Sequence, residues 1–260
     1  MSRHSRRIVG GPHELGQNFL VDPGVAARIA GLVPPGPVVE LGPGDGALTR
    51  HLARRPDPLT VVELDDGRAR SLRRTFGGRV DVVHGDMLAF RYTEPHQIAS
   101  NVPFGITTPV LRHVLGQTAW QNAVLLLQWE VARKRAAVGG TTLLTASWWP
   151  WYEFGLAGRV PASAFRPRPA VDGGLLVVNR RARPLVGPAD RQAYQRLVTD
   201  AFRGDRLGQT LRGRPGIRRW AAARPRDLDA DDWAAVFQAA VFQAVVMSQD
   251  MGDSSASGHR

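Results

Sequence analysis

Cysteine is absent from the 260-residue chain. That excludes a disulfide framework, a thiolate nucleophile and a cysteine-ligated zinc site. The seven histidines are scattered, with no H-x-x-x-H or H-E-x-x-H spacing, so no metal is expected. No apolar run reaches the roughly 18 residues a membrane-spanning helix needs, so no membrane partner is expected either. The basic N-terminus, MSRHSRRIVGG, lacks the apolar stretch of a secretory signal. The expected setting is the cytoplasm. Lysine is almost missing as well: Lys134 is the only one among 34 basic residues.

What the chain has instead is arginine, and a formal net charge of +11. Guanidinium groups grip phosphate in a bidentate fork and stack on bases. An excess of this size points to a polyanionic partner. A GC-rich genome accounts equally well for the arginine-to-lysine ratio, but not for the excess.

Residues 1–13 read as a basic arm carrying Arg3, Arg6 and Arg7. From about 14 to 182 short apolar runs alternate with amphipathic segments, the pattern of an α/β fold. VVELG (38–42), TVVELD (60–65), VDVVHGD (80–86), QIASNV (97–102) and AVLLLQ (123–128) read as strands, most of them apolar enough to be buried on both faces. Helices are expected over 22–33, 46–55, 66–76, 107–116 and 129–138. Two more strands are expected at 141–160 and 173–181, joined by the loop PASAFRPRP. Beyond RRARPLVGP the periodicity becomes helical, over 189–202, 206–213, 216–223 and 229–246. Between Arg203 and Arg226 the only acid is Asp205. A small basic helical domain over 183–247, expected to be the nucleic-acid-binding part of the chain, is followed by a disordered tail expected at 248–260.

The segment ELGPGDGALT (40–49) follows one strand and opens a helix. Gly42, Gly44 and Gly46 allow a tight turn and close approach of a ligand. Their G-x-G-x-G spacing differs from the dinucleotide pattern G-x-G-x-x-G, whose helix amides hold a pyrophosphate. A ligand without phosphates fits better, and S-adenosylmethionine is one. Glu63 ends the next strand, where a carboxylate can accept both ribose hydroxyls. Asp86 ends the third, placed to accept from an adenine amino group, with Leu64 and Met87 available to cover the adenine faces.

The segment SNVPFGITTP (100–109) closes a fourth strand. Pro103 fixes its own φ and restricts Val102, which makes a stiff turn. The Asn101 side-chain oxygen and the Val102 carbonyl can then receive the two hydrogens of an exocyclic amine. Phe104 can stack on a base flipped out of its strand. The arginine-rich stretches then have a task. The arm, Arg112, the run Arg133, Lys134 and Arg135, and the arginines of 203–226 can hold nucleic-acid phosphates.

Together LGQNFLVD (15–22), ELGPGDGALT, VVELD, HGDML, NVPFGITTPVL, FRPRPAVDGGLLVV (165–178) and FRGDRLGQTL (202–211) resemble the Erm family of ribosomal RNA adenine-N6 methyltransferases, whose near relatives are the KsgA-type dimethyladenosine transferases. The resemblance covers about residues 13–245. It implies a Rossmann-like class I methyltransferase sheet with a small C-terminal all-helical domain. It places Gln17, Asn18 and Leu20 over the methionine end of S-adenosyl-L-methionine, with Gly42, Glu63, Asp86 and Asn101 completing the site. It implies that the nucleic acid is RNA and adds Phe165 to the RNA-binding set. Phe104 stands where KsgA-type enzymes usually carry tyrosine, and their R-R-K-T-L run is missing from 202–211. Both differences favour the Erm branch. That branch implies a monomer acting on protein-free 23S RNA, or on an early precursor, at the macrolide site. Such methylation confers resistance to macrolides, lincosamides and streptogramin B. A KsgA-like enzyme of the small subunit, a DNA adenine methyltransferase and a non-catalytic RNA-binding factor on the same fold remain the alternatives.

Overall fold

The structure, a computed structural model, describes residues 18–212 and 216–241. Gln17, the expected basic arm and the expected tail lie outside the described residues. In chain order the elements are β1 (Phe19–Leu20), α1 (Pro23–Leu32), β2 (Val38–Leu41), α2 (Thr49–Leu52), β3 (Leu59–Glu63), α3 (Asp66–Phe76), β4 (Asp81–His84), β5 (His96–Asn101), α4 (Thr107–Gly116), β6 (Trp120–Gln128), α5 (Trp129–Arg135), α6 (Leu143–Trp148), β7 (Tyr152–Val160), β8 (Phe165–Arg166), β9 (Gly173–Arg180), α7 (Arg191–Ala201) and α8 (Leu207–Thr210). A further helix runs through 230–241. No helix among the described residues is long and apolar enough to cross a membrane.

The chain divides into two units. One takes the residues up to Ala132 together with Gly155–Asn179; the other takes Arg133–Phe154 and the residues from Arg180 onward. The first unit is built on a seven-stranded sheet in the order β4-β3-β2-β5-β6-β9-β7. Strands β2 to β6 pair in parallel, whereas β9 runs antiparallel to β6. All four residues of β2 are buried, as a strand covered by helices on both faces requires. Helices α1 and α3 start where the sequence supplies caps. Asp22 accepts the amides of Gly24 and Val25 at 2.8 and 3.0 Å, with Pro23 in the first turn. Asp65 accepts that of Arg68 at 2.8 Å. The chain winds outward from β2 to β4, then returns to the other side of β2 at β5. That reversal opens a crevice at the carboxyl ends of β2 and β5, where open α/β sheets bind their ligands. The short β1 pairs antiparallel with β8, matching Phe19 to Arg166 and Leu20 to Phe165.

The second unit is helical apart from the start of β7. Ala146 of α6 is buried, and its carbonyl accepts the Tyr194 hydroxyl of α7 at 2.8 Å. Tyr194 meets Trp151 and Phe237 edge to face at 5.4 and 5.5 Å, and Trp233 is fully buried.

Several expectations change here. Residues 141–160 were expected to form one strand, but the segment folds as α6 followed by β7. The Thr142 hydroxyl accepts the Thr145 amide and caps the helix, and Pro150 separates the two elements. The helical unit also reaches further back than residue 183, because α6 packs its buried Thr145 and Ala146 within it. The helices expected at 46–55, 206–213 and 216–223 shrink to short turns at Thr49–Leu52, Leu207–Thr210 and Ile217–Trp220.

Candidate active site

The crevice between β2 and β5 is a cleft whose lining includes Asn18, Leu20, Gly42, Gly44, Glu63, Leu64, Asp86, Met87, Asn101 and Pro103. Residues expected from five separate segments thus meet in one place. The glycine loop shapes it. Gly42, Gly44 and Gly46 take φ of 66°, 56° and 79°, which residues with a Cβ rarely adopt. Space adds a second reason. A Cβ on Gly42 would stand 2.8 Å from the Met87 methyl, and one on Gly44 3.0 Å from the Phe19 ring. Gly46 is buried behind the loop, where a Cβ would press on Leu72 and Phe76, so its part is packing.

The acids differ in setting. Glu63 is buried, and its two oxygens accept the amides of Gly44 and Asp65 at 3.0 and 2.9 Å. Each oxygen retains a second lone pair for a hydroxyl. Asp86 is exposed at the rim, one oxygen taken by the Leu88 amide at 2.8 Å. Leu64, 54% exposed, and Met87 supply apolar surface beside it. Glu40 lies at the floor, 2% exposed, and accepts the Thr49 hydroxyl at 2.7 Å. Burial pushes its carboxyl up to about 8, the negative Glu63 adding to the rise and the Thr49 hydrogen bond opposing it. An acid kept neutral beside a cleft is ready to ionise when a cation arrives.

At the end of β5 the Val102 amide donates to the Leu126 carbonyl at 3.1 Å, and the Ile106 amide to Pro103 at 3.0 Å, closing the NVPF turn. The Asn101 amide nitrogen donates to the Asn18 carbonyl at 2.8 Å. That bond occupies the amide nitrogen and holds the side chain in the cleft lining. Asn18 therefore sets the orientation of Asn101, a role not foreseen from the sequence. Phe104 is half-buried, its ring meeting Phe165 at 6.1 Å and 66°.

The chain matches the model of the ribosomal RNA adenine dimethylase family over residues 11–212. It belongs to that family. It is 53% identical to the mycinamicin-resistance protein MyrB of Micromonospora griseorubida, over 88% of this chain and 79% of that protein. An rRNA adenine N-6-methyltransferase of Corynebacterium diphtheriae is 47% identical, over 78% of this chain and 82% of the relative. The crystal structure of the 23S rRNA methyltransferase ErmE superposes with a TM-score of 0.78 at 32% identity, covering 86% of this chain and all of that one. A dimethyladenosine transferase from Plasmodium falciparum, 18% identical, shares the fold with a TM-score of 0.70. The enzyme is an S-adenosylmethionine-dependent rRNA adenine-N6 methyltransferase of class I fold. Its cleft fits that cofactor: two glycines keep it open, Glu63 waits among backbone amides, and no phosphate-binding pattern is present.

The residues expected to bind RNA are less uniform. Arg112 on α4 and Lys134 on α5 are exposed, and Arg133 partly so. Arg135 is half-buried and donates to the Thr142 hydroxyl at 2.9 Å, so it braces the second unit. Phe165 requires a correction. It is fully buried and cannot present its ring to RNA. Its pairing in β8 and its contact with Phe104 make it the support of that ring.

Several residues escaped the sequence reading. The Phe19 ring packs on Gly44 and carries the Arg68 guanidinium at 4.7 Å, while Arg68 pairs with Asp45 at 3.3 Å. Ile106 joins them in the lining. Phe19 lies between two residues named for the site, and its aromatic character was the available signal. Near the carboxyl end of β6, the Trp129 amide donates to the Asp172 carbonyl at 2.8 Å, and Arg159 lies over the Trp129 ring while ion-paired to Asp172. No sequence signal brings those three together, because the adjacency of β6, β9 and β7 in the sheet does so.

Proposed function

We propose that this enzyme methylates N6 of an adenosine at the macrolide site of 23S ribosomal RNA, acting as a monomer in the cytoplasm on protein-free RNA or an early precursor, and thereby confers resistance to macrolides, lincosamides and streptogramin B. The observation that carries the chemistry is the Asn18–Asn101 hydrogen bond, which holds the Asn101 amide in the lining of the cofactor cleft through its nitrogen and so spares its oxygen for an incoming amine. The likeness to a mycinamicin-resistance protein and to a 23S rRNA methyltransferase supports the choice of RNA.

The cofactor supplies an electrophilic methyl group on a sulfonium. The chain's part is positioning. Glu63 accepts ribose hydroxyls, and Asp86 accepts from the adenine amino group between Leu64 and Met87. Asn18 and Leu20 close over the methionine end. The lone pair of the target amine is delocalised into its ring, which makes it a poor nucleophile. Asn101 and the Val102 carbonyl hold its two hydrogens, so that the lone pair points at the methyl carbon. Phe104, backed by Phe165, holds the target ring and favours the cationic amine during transfer. Orientation of this kind is worth roughly 7–11 kcal/mol. The methylated amine, acidic once cationic, loses its proton to water.

The test is methyl transfer from labelled S-adenosylmethionine to naked 23S RNA, 16S RNA and assembled 30S subunits in parallel, with the site mapped by primer-extension stops. Label on one adenosine of naked 23S RNA is the expected result. Label on 30S subunits alone would replace this reading with a small-subunit one.

A further inference from the structure

The second unit holds a cleft of about 560 Å³ that the methyl-transfer chemistry does not use. Its lining includes Phe202, Arg203, Arg206, Gln209, Arg224 and Arg226, and its one acid is Asp205. The walls are built backbone against backbone. The amides of Leu207 and Gly208 donate to the carbonyls of Ala223 and Ala221, each at 3.0 Å. Only glycine permits that approach, since a Cβ at Gly208 would lie 2.9 Å from the Ala221 oxygen. The Arg206 guanidinium ties the same two segments by donating to the Ala222 carbonyl at 2.6 Å. Gln209 pins the loop by accepting the amides of Asp205 and Arg206 at 3.2 and 3.3 Å. On the other wall Pro225 is buried, and Arg224 and Arg226 on either side of it are exposed.

Arg203 pairs with Asp200 at 3.3 Å and Arg206 is held by the Ala222 carbonyl, so Arg224 and Arg226 carry the excess of positive charge around the cavity, and a bound anion relieves their repulsion. One lining residue is not charged: Phe202 is half-exposed and lies stacked on the buried Trp233, with centroids 5.9 Å apart and planes 17° apart. An arginine-lined groove with a rigid aromatic face is the combination that holds a single strand, phosphates on the cations and a base on the ring.

We infer that this cleft binds an unpaired segment of the substrate RNA, with Arg224 and Arg226 on its phosphates and Phe202 beneath a base. The inference rests on ribosomal RNA being the substrate. It makes the helical unit a second point of attachment, independent of the motif that receives the target adenosine.

The test uses the full-length enzyme and a methyl-accepting RNA. Arg224→Gln/Arg226→Gln is compared with wild type and with Arg74→Gln/Arg79→Gln, which removes two exposed arginines at α3 and the turn after it. The first pair is expected to raise KM for RNA on the order of tenfold, with kcat and the melting temperature held. It is also expected to make the slope of log affinity against log salt shallower by about 1.4, the release from two single-strand phosphates. The control pair is expected to change neither. An unchanged KM and slope would overturn the inference, as would an equal loss in the control pair, which would mark a general charge effect. A duplex that competes for the cleft as well as a single strand would overturn the stacking on Phe202. Stabilisation of the wild type by inorganic phosphate, lost in Arg224→Gln/Arg226→Gln while RNA binding stays the same, would assign the cleft to small anions instead. No methylation of any RNA by the wild type would be a failure of the substrate reading, separate from all of these.

Discussion

Glu40→Gln isolates the buried acid beneath the cofactor cleft. The native carboxyl holds its proton up to about 8, against 4.5 as its ordinary value, because it is buried near Glu63. Between those two values the folded enzyme binds a proton that the unfolded chain has released. Stability from this group is therefore complete below pH 4.5 and is lost as pH rises toward 8. At 1.36 kcal/mol per unit the loss amounts to about 5 kcal/mol. At 2% exposure the group has little solvent to screen it, so most of that figure should be measurable. Glutamine keeps an oxygen for the Thr49 hydroxyl but has nothing to ionise. Urea unfolding between pH 5 and 9 should show the variant gaining several kcal/mol on the wild type, nearly all of it by pH 8. Curves that stay parallel within about 1 kcal/mol would refute the reasoning.

The same proton links to the cofactor. The sulfonium and the ammonium of S-adenosylmethionine favour an ionised Glu40, so binding should expel its proton. Wild-type affinity should rise with pH up to about 8, and calorimetry in buffers of different ionisation heat should register the released proton. Glu40→Gln should bind more weakly at pH 8 and lose both signatures. A variant that releases the same proton would assign the linkage to another group.

Asn101→Ala should cost roughly 10²–10³ in kcat, the scale of losing one oriented polar group, on top of any loss of cofactor affinity measured by calorimetry. A near-normal turnover would sink the mechanism. Phe104→Ala should lose ten- to a hundredfold in kcat/KM, about the worth of one stacked base, and Phe104→Tyr much less; equal losses would remove stacking as the role of the ring. Gly44→Ala forces a left-handed φ of 56° on a residue with a Cβ, at about 1–2 kcal/mol, and drives the methyl against Phe19, so cofactor affinity should fall at least tenfold. Phe165→Ala should destabilise the fold by about 3–5 kcal/mol in denaturant titration, whereas a surface RNA contact would leave stability unchanged.

The legible parts of this molecule are those in which local chemistry decides the structure. The Gly42–Gly46 spacing, the carboxylates closing β3 and β4, and the NVPF turn each declare themselves within a few residues. The order of the strands then carries them to one crevice, because a parallel sheet delivers the ends of successive strands to the same edge. Asp22 and Asp65 mark helix starts in the same local way. The segment 141–160 was illegible for the opposite reason. Its apolar run is as compatible with a strand as with a buried helix. The choice falls to tertiary partners: the Thr142 cap, and Tyr194 reaching back across about 50 residues to Ala146. Asn18 belongs to the same class, since its carbonyl reaches Asn101 only after β1 has paired with β8.

Phe165 shows how a motif can be found correctly and its role still mistaken. In the sequence it heads an arginine- and proline-rich loop, FRPRP, which reads as a surface made for RNA. Pairing with Leu20 in β1 turns its ring inward, toward the place where a Cβ on Gly173 would touch it at 3.2 Å. The neighbouring Arg166 and Arg168 stay exposed. In an extended segment successive side chains point to opposite sides, so Phe165 faces the core and Arg166 the solvent. The physical consequence is a relay: Phe165 carries the packing of the core to Phe104, and through it to the base that Phe104 receives. A cavity at Phe165 should therefore free the Phe104 ring and lower kcat even at temperatures where the variant is fully folded. Phe165→Leu, which keeps most of the volume and loses the edge-to-face contact, separates the two effects. Its stability should fall less than that of Phe165→Ala. If its kcat nevertheless equals that of the wild type, Phe165 contributes to stability alone and the relay does not exist.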